Sequence, residues 1–315
     1  MTGSHPTRHY ATFLRRLGAY LIDSVLLGVV GVIIAYPFSN WLASLTWQGR
    51  LIGALAAFPY FVIMNSALGG GATVGKRILK LKVVGRDGQA ISLPRAIGRY
   101  LILALPSFFN GLYVPSGSFD KLLGLIMVLI VFGIGLSIIY LFVFNSSNRR
   151  SLHDVVADSA VVRIDSSGPP SNWEIARAHW FAIVLIIIVS ITVPLTVNKS
   201  DGTSTLSNLV AVHEAVQADP DVLYASVTRN SSSISKEGRT TRHETLHVNA
   251  RLRPNTQSPK AIADRLSDKI YGYPESLIGV ETVLVSLWWG YDIGIASSSS
   301  SSAWSYPSKS PSASE

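Results

Sequence analysis

Residues 17–38 read LGAYLIDSVLLGVVGVIIAYPF, and their reading decides the fold. At a rise of about 1.5 Å per residue, the run crosses the hydrocarbon core of a bilayer as a single helix. Arg15 and Arg16 lead into it, and one acid, Asp23, sits inside it. A charge in the middle of a span costs about 3 kcal/mol on insertion scales, so it must be paired, hydrated or functional. Arg16 precedes Asp23 by two helical turns, roughly 10 Å along the axis and on nearly the same face. Its guanidinium can bend inward toward the carboxylate while its head stays near the interface. Two readings follow. One is a structural ion pair that holds helices together; the other is a functional charge pair within the membrane.

The rest of the chain repeats this character. Of 315 residues, 48% are hydrophobic and only 15% charged, which selects an integral membrane protein over a soluble one. Further apolar runs fall at residues 51–68, 97–115, 122–144 and 180–197. Pro59 predicts a kink in the second, and Pro106 interrupts the third, which either crosses or lies partly in the interface. Cysteine is absent, so disulfides, thiol nucleophiles and Cys-based metal sites are excluded.

Charge sets the topology. Residues 1–197 carry +9 and residues 198–315 carry −1, so the basic balance belongs to the membrane half and argues against nucleic acid as a partner. Arg8, Arg15 and Arg16 place the N-terminus in the cytoplasm. The cluster from Lys76 to Arg99 and the group Arg149, Arg150, Arg163 and Arg177 belong on the same side. The opposite loops hold only Arg50 and Lys121. An even number of crossings must separate the two basic loops, so residues 97–115 are expected to cross. The expectation is four spans in the core, with a fifth anchor helix that exports everything after it. The first run is too long for a signal peptide, and no cleavage site clearly follows it.

Between the second and third runs, Gly70 to Lys76 fits the spacing G-x-x-x-x-G-K. A phosphate-binding loop is rejected, because Arg77 stands where Ser or Thr is needed and a membrane helix precedes the glycines. Alternation over residues 78–83 and the Asp87-Gly88 turn signal predict instead a small basic hairpin, with Lys76 and Arg77, lying against anionic lipid headgroups. In the loop after the fourth run, His153-Asp154 is too small a set for a metal site, and Asp154 is expected to cap a short helix or pair with basic residues of the hairpin. A Pro/Ser linker, residues 166–179, follows.

The stretches FLRRLGAYLID (13–23), TVGKRILKLKVVGRDGQAISLPRAIGRYL (73–101) and RRSLHDVVADSAVV (149–162) resemble the RDD family of membrane proteins. The resemblance covers about residues 8–163. It maps the family's arginine to Arg16, its two aspartates to Asp23 and Asp154, and its Gly-Lys-Arg stretch to Gly75, Lys76 and Arg77. It implies an α-helical multi-span membrane domain at residues 10–165, and a transport role with cation/proton exchange for some members. It implies neither enzymatic activity nor a cofactor. The localisation that follows is the plasma membrane.

Residues 198–296 read as a small extracytoplasmic α+β domain of order α-β-β-α-β, with helices on one face of an antiparallel sheet. Strands are expected at 223–228, 240–253 and 280–291, with a polar turn at 231–238. The mobile pieces are expected at residues 1–9 and in the Ser/Pro-rich tail, 297–315. His243-Glu244-Thr245-Leu246-His247 matches the zinc-protease motif H-E-x-x-H. The surrounding alternation reads as a strand, which puts the histidines roughly 13 Å apart, too far to share one zinc. Three functions are therefore in competition. The first is a transporter working through Arg16, Asp23 and Asp154 on a cation or proton. The second is a non-catalytic anchor presenting residues 198–296 to an envelope protein. The third, least supported, is a metalloprotease with His243 and His247 as ligands and Glu244 as base.

Overall fold

The computed structural model describes residues 10–111, 120–165, 170, 172–197, 203–236, 239–254 and 258–308. The expectations for residues 1–9, for residues 166–169 and 171 of the linker and for residues 309–315 of the tail lie outside that set. The chain forms two compact units. Unit 1 comprises residues 1–33, 50–200 and 293–296; unit 2 comprises residues 34–49, 201–292 and 297–315.

Unit 1 is built from apolar helices, because a span in lipid must satisfy its backbone polar groups within itself. Its elements are α1 (Phe13–Ala35), which begins the chain's described helices, and α3 (Gln48–Asn65), with α2 (Ser39–Ser44) between them in unit 2. There follow α4 (Val74–Ile78), β1 (Leu81–Val84) and α5 (Leu93–Phe109). Next come α6 (Asp120–Val128), a π-helical stretch (Leu129–Ile134) and α7 (Gly135–Phe144), which together make one rod. A short α8 (Leu152–Val156), β2 (Ala160–Arg163) and α9 (Arg177–Val197) complete the unit.

Among the described residues, three stretches are long and apolar enough to cross a membrane: Phe13–Ser44, Leu122–Phe144 and Arg177–Leu195. They turn large apolar side chains outward: Val25 is 68% exposed and Phe181 76%, as a lipid-facing surface requires. Helices α3 and α5, of 18 and 17 residues, are outside this set. The first turns of α5 carry Arg95 and Arg99, which lower its apolar length. Pro59 lies inside α3 without ending it.

The basic hairpin is corrected. Residues 74–78 are helical, and β1 pairs antiparallel with β2, from Leu81 opposite Arg163 to Val84 opposite Ala160. The Asp87-Gly88 turn does form, with Gly88 at φ +77°. The chain returning from it offers Ala90 and Ile91 before Ser92 and Pro94, whereas residues 160–162 are Ala-Val-Val. Leu81, Val83, Val161 and Val162 are buried on this ribbon, so the distant strand wins.

Unit 2 contains α10 (Thr203–Gln217), β3 (Val222–Lys236), β4 (Arg239–Leu252), α11 (Pro259–Tyr271), β5 (Thr282–Asp292) and β6 (Ser297–Pro307). The sheet order is β3-β4-β5-β6. Leu246, Val248, Ala250 and Leu252 of β4 alternate inward and meet Val283, Val285 and Leu287 of β5. Ile262, Leu266 and Ile270 of α11 and Val212 and Val216 of α10 close the core. Asp219, just after α10, is buried and bound by Arg265 and Lys269 of α11 at 2.8 and 2.9 Å, tying the helices together. Between β4 and β5, Arg251 stacks on Trp288 at 5.0 Å and donates to the Ala43 carbonyl of α2.

Three expectations for this unit are corrected. The sheet is mixed, because α11 carries the chain back across and sets β5 parallel to β4. Residues 231–236 stay in β3, paired residue by residue with β4. The serine-rich stretch from Ser297 is a strand antiparallel to β5, anchored by Trp304 and Tyr306 against the core.

Candidate functional site

The site lies in unit 1, where α1, α3, α4, α5, α7 and α8 surround a cavity of about 410 Å³. Its polar lining includes Arg16, Asp23, Asn65, Lys76, Arg99, Ser107 and His153. Leu103, Ile138, Ile139 and Phe142 supply apolar wall.

Asp154 stands in the first turn of α8, where a carboxylate favourably meets free backbone amides. The Ser151 amide donates to its Oδ2 at 2.9 Å. Arg16 of α1 donates to the same oxygen at 2.6 Å, and Arg99 of α5 donates to Oδ1 at 2.6 Å. Arg16 also donates to the Arg149 carbonyl and lies 4.8 Å over the Phe142 ring. Asp154 is fully buried. Burial by itself raises a carboxylate's pKa, but Arg16 and then Arg99 outweigh it and hold Asp154 well below the usual range. The adjacent His153 is buried, and burial, with Arg99 and Arg16 nearby, pushes its pKa down to about 3 against the pull of Asp154. It is a neutral imidazole at physiological pH.

Asp23 has different company. Tyr60 of α3 and the Gly75 amide donate to its Oδ1 at 2.6 and 2.8 Å, and the Thr73 hydroxyl donates to Oδ2 at 2.6 Å. Among the described residues it forms no ion pair. The expected Arg16–Asp23 pair is therefore replaced by an Arg16–Asp154–Arg99 triad and a separately solvated Asp23. The physical reason is reach: packing brings two buried guanidiniums to the two oxygens of Asp154, while the three donors packed against Asp23 are neutral.

The glycine-rich segment explains that solvation. Thr73 caps α4, accepting from the Lys76 amide while donating to Asp23. A Cβ on Gly75 would stand 2.1 Å from the Ala19 carbonyl oxygen, so only glycine lets the α4 amides reach α1. The loop with phosphate-loop spacing thus cradles the protein's own carboxylate. Lys76 donates from Nζ to Asn65 at 2.8 Å. Burial and then the Arg99 charge lower its pKa to about 7, with Asp23 opposing. Arg77 points elsewhere and holds the carbonyls of Gly69 and Ala72.

Of the residues singled out from sequence, Arg16, Asp23 and Lys76 line the cavity, Asp154 anchors its wall, and Arg77 stays outside it. Arg99, His153, Tyr60, Thr73 and Asn65 were not expected in the site. Arg99 had a signal, as an arginine inside an apolar run. Tyr60, Thr73 and Asn65 had none, since their role depends on helix packing.

The H-E-x-x-H residues lie on β4. His243 pairs with Glu281 at 2.7 Å, His247 with Ser286 at 2.9 Å, and Glu244 with Arg229. Each of the three is engaged by a different partner. Among the described residues no cluster of three His, Asp or Glu side chains is arranged to hold a metal.

Long apolar helices enclosing a buried cluster of opposite charges define an integral membrane protein with a largely apolar cavity that charged side chains enter. Residues 10–158 match the model of the RDD family. The match takes in Arg16, Asp23, Lys76, Arg99 and Asp154, and it ends before β2, α9 and most of unit 2. No curated relative matches the chain.

Proposed function

We propose that the chain is a plasma-membrane transporter whose chamber is the 410 Å³ cavity, with Lys76 as its proton-linked group and Asp23 beside it on the wall. The carrying observation is that Asp23 sits buried on the cavity wall, bound only by neutral donors, while a lysine of lowered pKa lines the same space. Loading the chamber with an anion favours protonated Lys76, and emptying it favours proton release. A bare metal cation would meet Arg16, Lys76 and Arg99 there, which weighs against the cation half of the exchange suggested by sequence. In this reading the N-terminus is cytoplasmic, four spans form the core, and α9 exports the domain that follows. The loop charges support that orientation. Proteoliposomes carrying the protein should show solute-dependent proton flux that Asp23→Asn or Lys76→Gln abolishes. Flux identical in both variants sinks the mechanism.

A second reading has its own support. Unit 2 holds an independent core and lies mostly outside the family match, as a module that an anchor presents to an envelope protein would. Capture of one specific envelope protein, lost when residues 201–308 are removed, is the outcome that reading requires.

A further inference from the structure

The cavity does not balance its charges. Arg16, Lys76 and Arg99 line it against one carboxylate, Asp23. Asp154, behind the wall, supplies a second negative charge and is consumed by Arg16 and Arg99. With Lys76 protonated, three positive charges thus face two negative ones. Lys76 is the cation without an ionic partner among the described residues, since its ammonium donates to the neutral Asn65. Two other groups on this wall are unfinished. Arg99 Nε and His153 Nδ1 are buried with no hydrogen-bond partner among the described residues, and such groups cost about 1–3 kcal/mol each. Most of the remaining wall is greasy, with Leu103, Pro106, Ile139 and Phe142, and Ser107 is a polar exception. A cationic end joined to an apolar slot matches a molecule with an anionic head and a hydrocarbon tail.

We propose that the cavity binds a single-chain amphiphilic anion, with its phosphate or carboxylate head at Lys76 and Arg99 and its chain along Leu103, Ile139 and Phe142. A volume of about 410 Å³ takes a short chain and excludes a two-chain phospholipid as a whole. The assignment rests on reading the cavity as a solute chamber, and it names the class of solute.

The test is equilibrium binding to the full-length protein in a neutral maltoside detergent, read as a thermal shift. Octyl phosphate is the probe; inorganic phosphate and octyltrimethylammonium are the comparisons. Octyl phosphate should stabilise the protein saturably, and the other two should not. Lys76→Gln should weaken its binding about tenfold, the value of one charge-assisted hydrogen bond. Leu103→Trp fills the slot, keeps every charge and should weaken it at least as much. Inorganic phosphate binding as tightly as octyl phosphate would overturn the tail, and the cation binding as tightly would overturn the head. Wild-type affinity in Leu103→Trp would overturn the site even if Lys76→Gln failed to fold. The flux assay is separate: octyl phosphate binding without proton flux supports this site while removing the transport reading.

Discussion

Arg16 and Asp154, 138 positions apart in the chain, meet at 2.6 Å with both side chains buried. The contact joins the first apolar helix to the short helix that follows α7. Arg99 completes it from α5 at the same distance, so one carboxylate fixes three helices. Removing one partner of such a group leaves uncompensated charge where water cannot reach it.

Asp154→Asn should therefore destabilise the protein by about 3–5 kcal/mol, because two guanidiniums stay buried without their counter-ion. Thermal unfolding in detergent, followed by circular dichroism, measures it. A loss below about 1 kcal/mol would mean that the triad is not what holds these helices.

Gly75→Ala should cost about 1–3 kcal/mol or more and loosen the Gly75–Asp23 hydrogen bond, since the new methyl group collides with the Ala19 backbone oxygen. Gly124→Ala is the control. A methyl group there meets nothing within 4 Å, and alanine is the better helix former, so stability should hold or rise. The two variants are compared by melting temperature.

Acid should weaken unit 1 in a defined window. His153 has a folded pKa of about 3 against 6.5 when unfolded, so the unfolded chain binds the extra proton between those values. Stability is complete above about pH 6.5 and falls as pH drops toward 3. Asp154, depressed below 3.8, contributes stability present above that value and lost only as pH falls further. Melting temperature should decline from pH 7 to pH 4, and His153→Gln should flatten that decline. An unchanged slope would show that His153 is not the group responsible.

Truncation before Ser297 should unfold unit 2. It strips β6 from the edge of β5 and removes Trp304 and Tyr306, whose rings pack on the core. Hydrogen exchange of the β5 amides reads the effect directly: protection should collapse along Thr282–Asp292. Retained protection would make the strand dispensable.

The long apolar helices, the α+β character of the second unit and the setting of Arg16 and Asp23 in an apolar run were legible in the chain as written. Each rests on local pattern: hydropathy over a span, alternation over a strand, or a charge in an apolar run. The tail was misread because its serines look unstructured until β5 offers them a ladder. The parallel pairing of β4 with β5 was missed because strand direction depends on where α11 lands. Sequence put Arg16 beside Asp23 because helical spacing makes them neighbours, and the same spacing is blind to α8.

What the sequence determined by itself was that charges such as Asp23 stand inside apolar helices, since they interrupt runs long enough to span a bilayer. Which charge meets which was decided only by the tertiary structure. A buried carboxylate takes the strongest donors that packing brings within reach, and packing brought Arg16 and Arg99 to Asp154 and left Asp23 to Tyr60, Thr73 and Gly75.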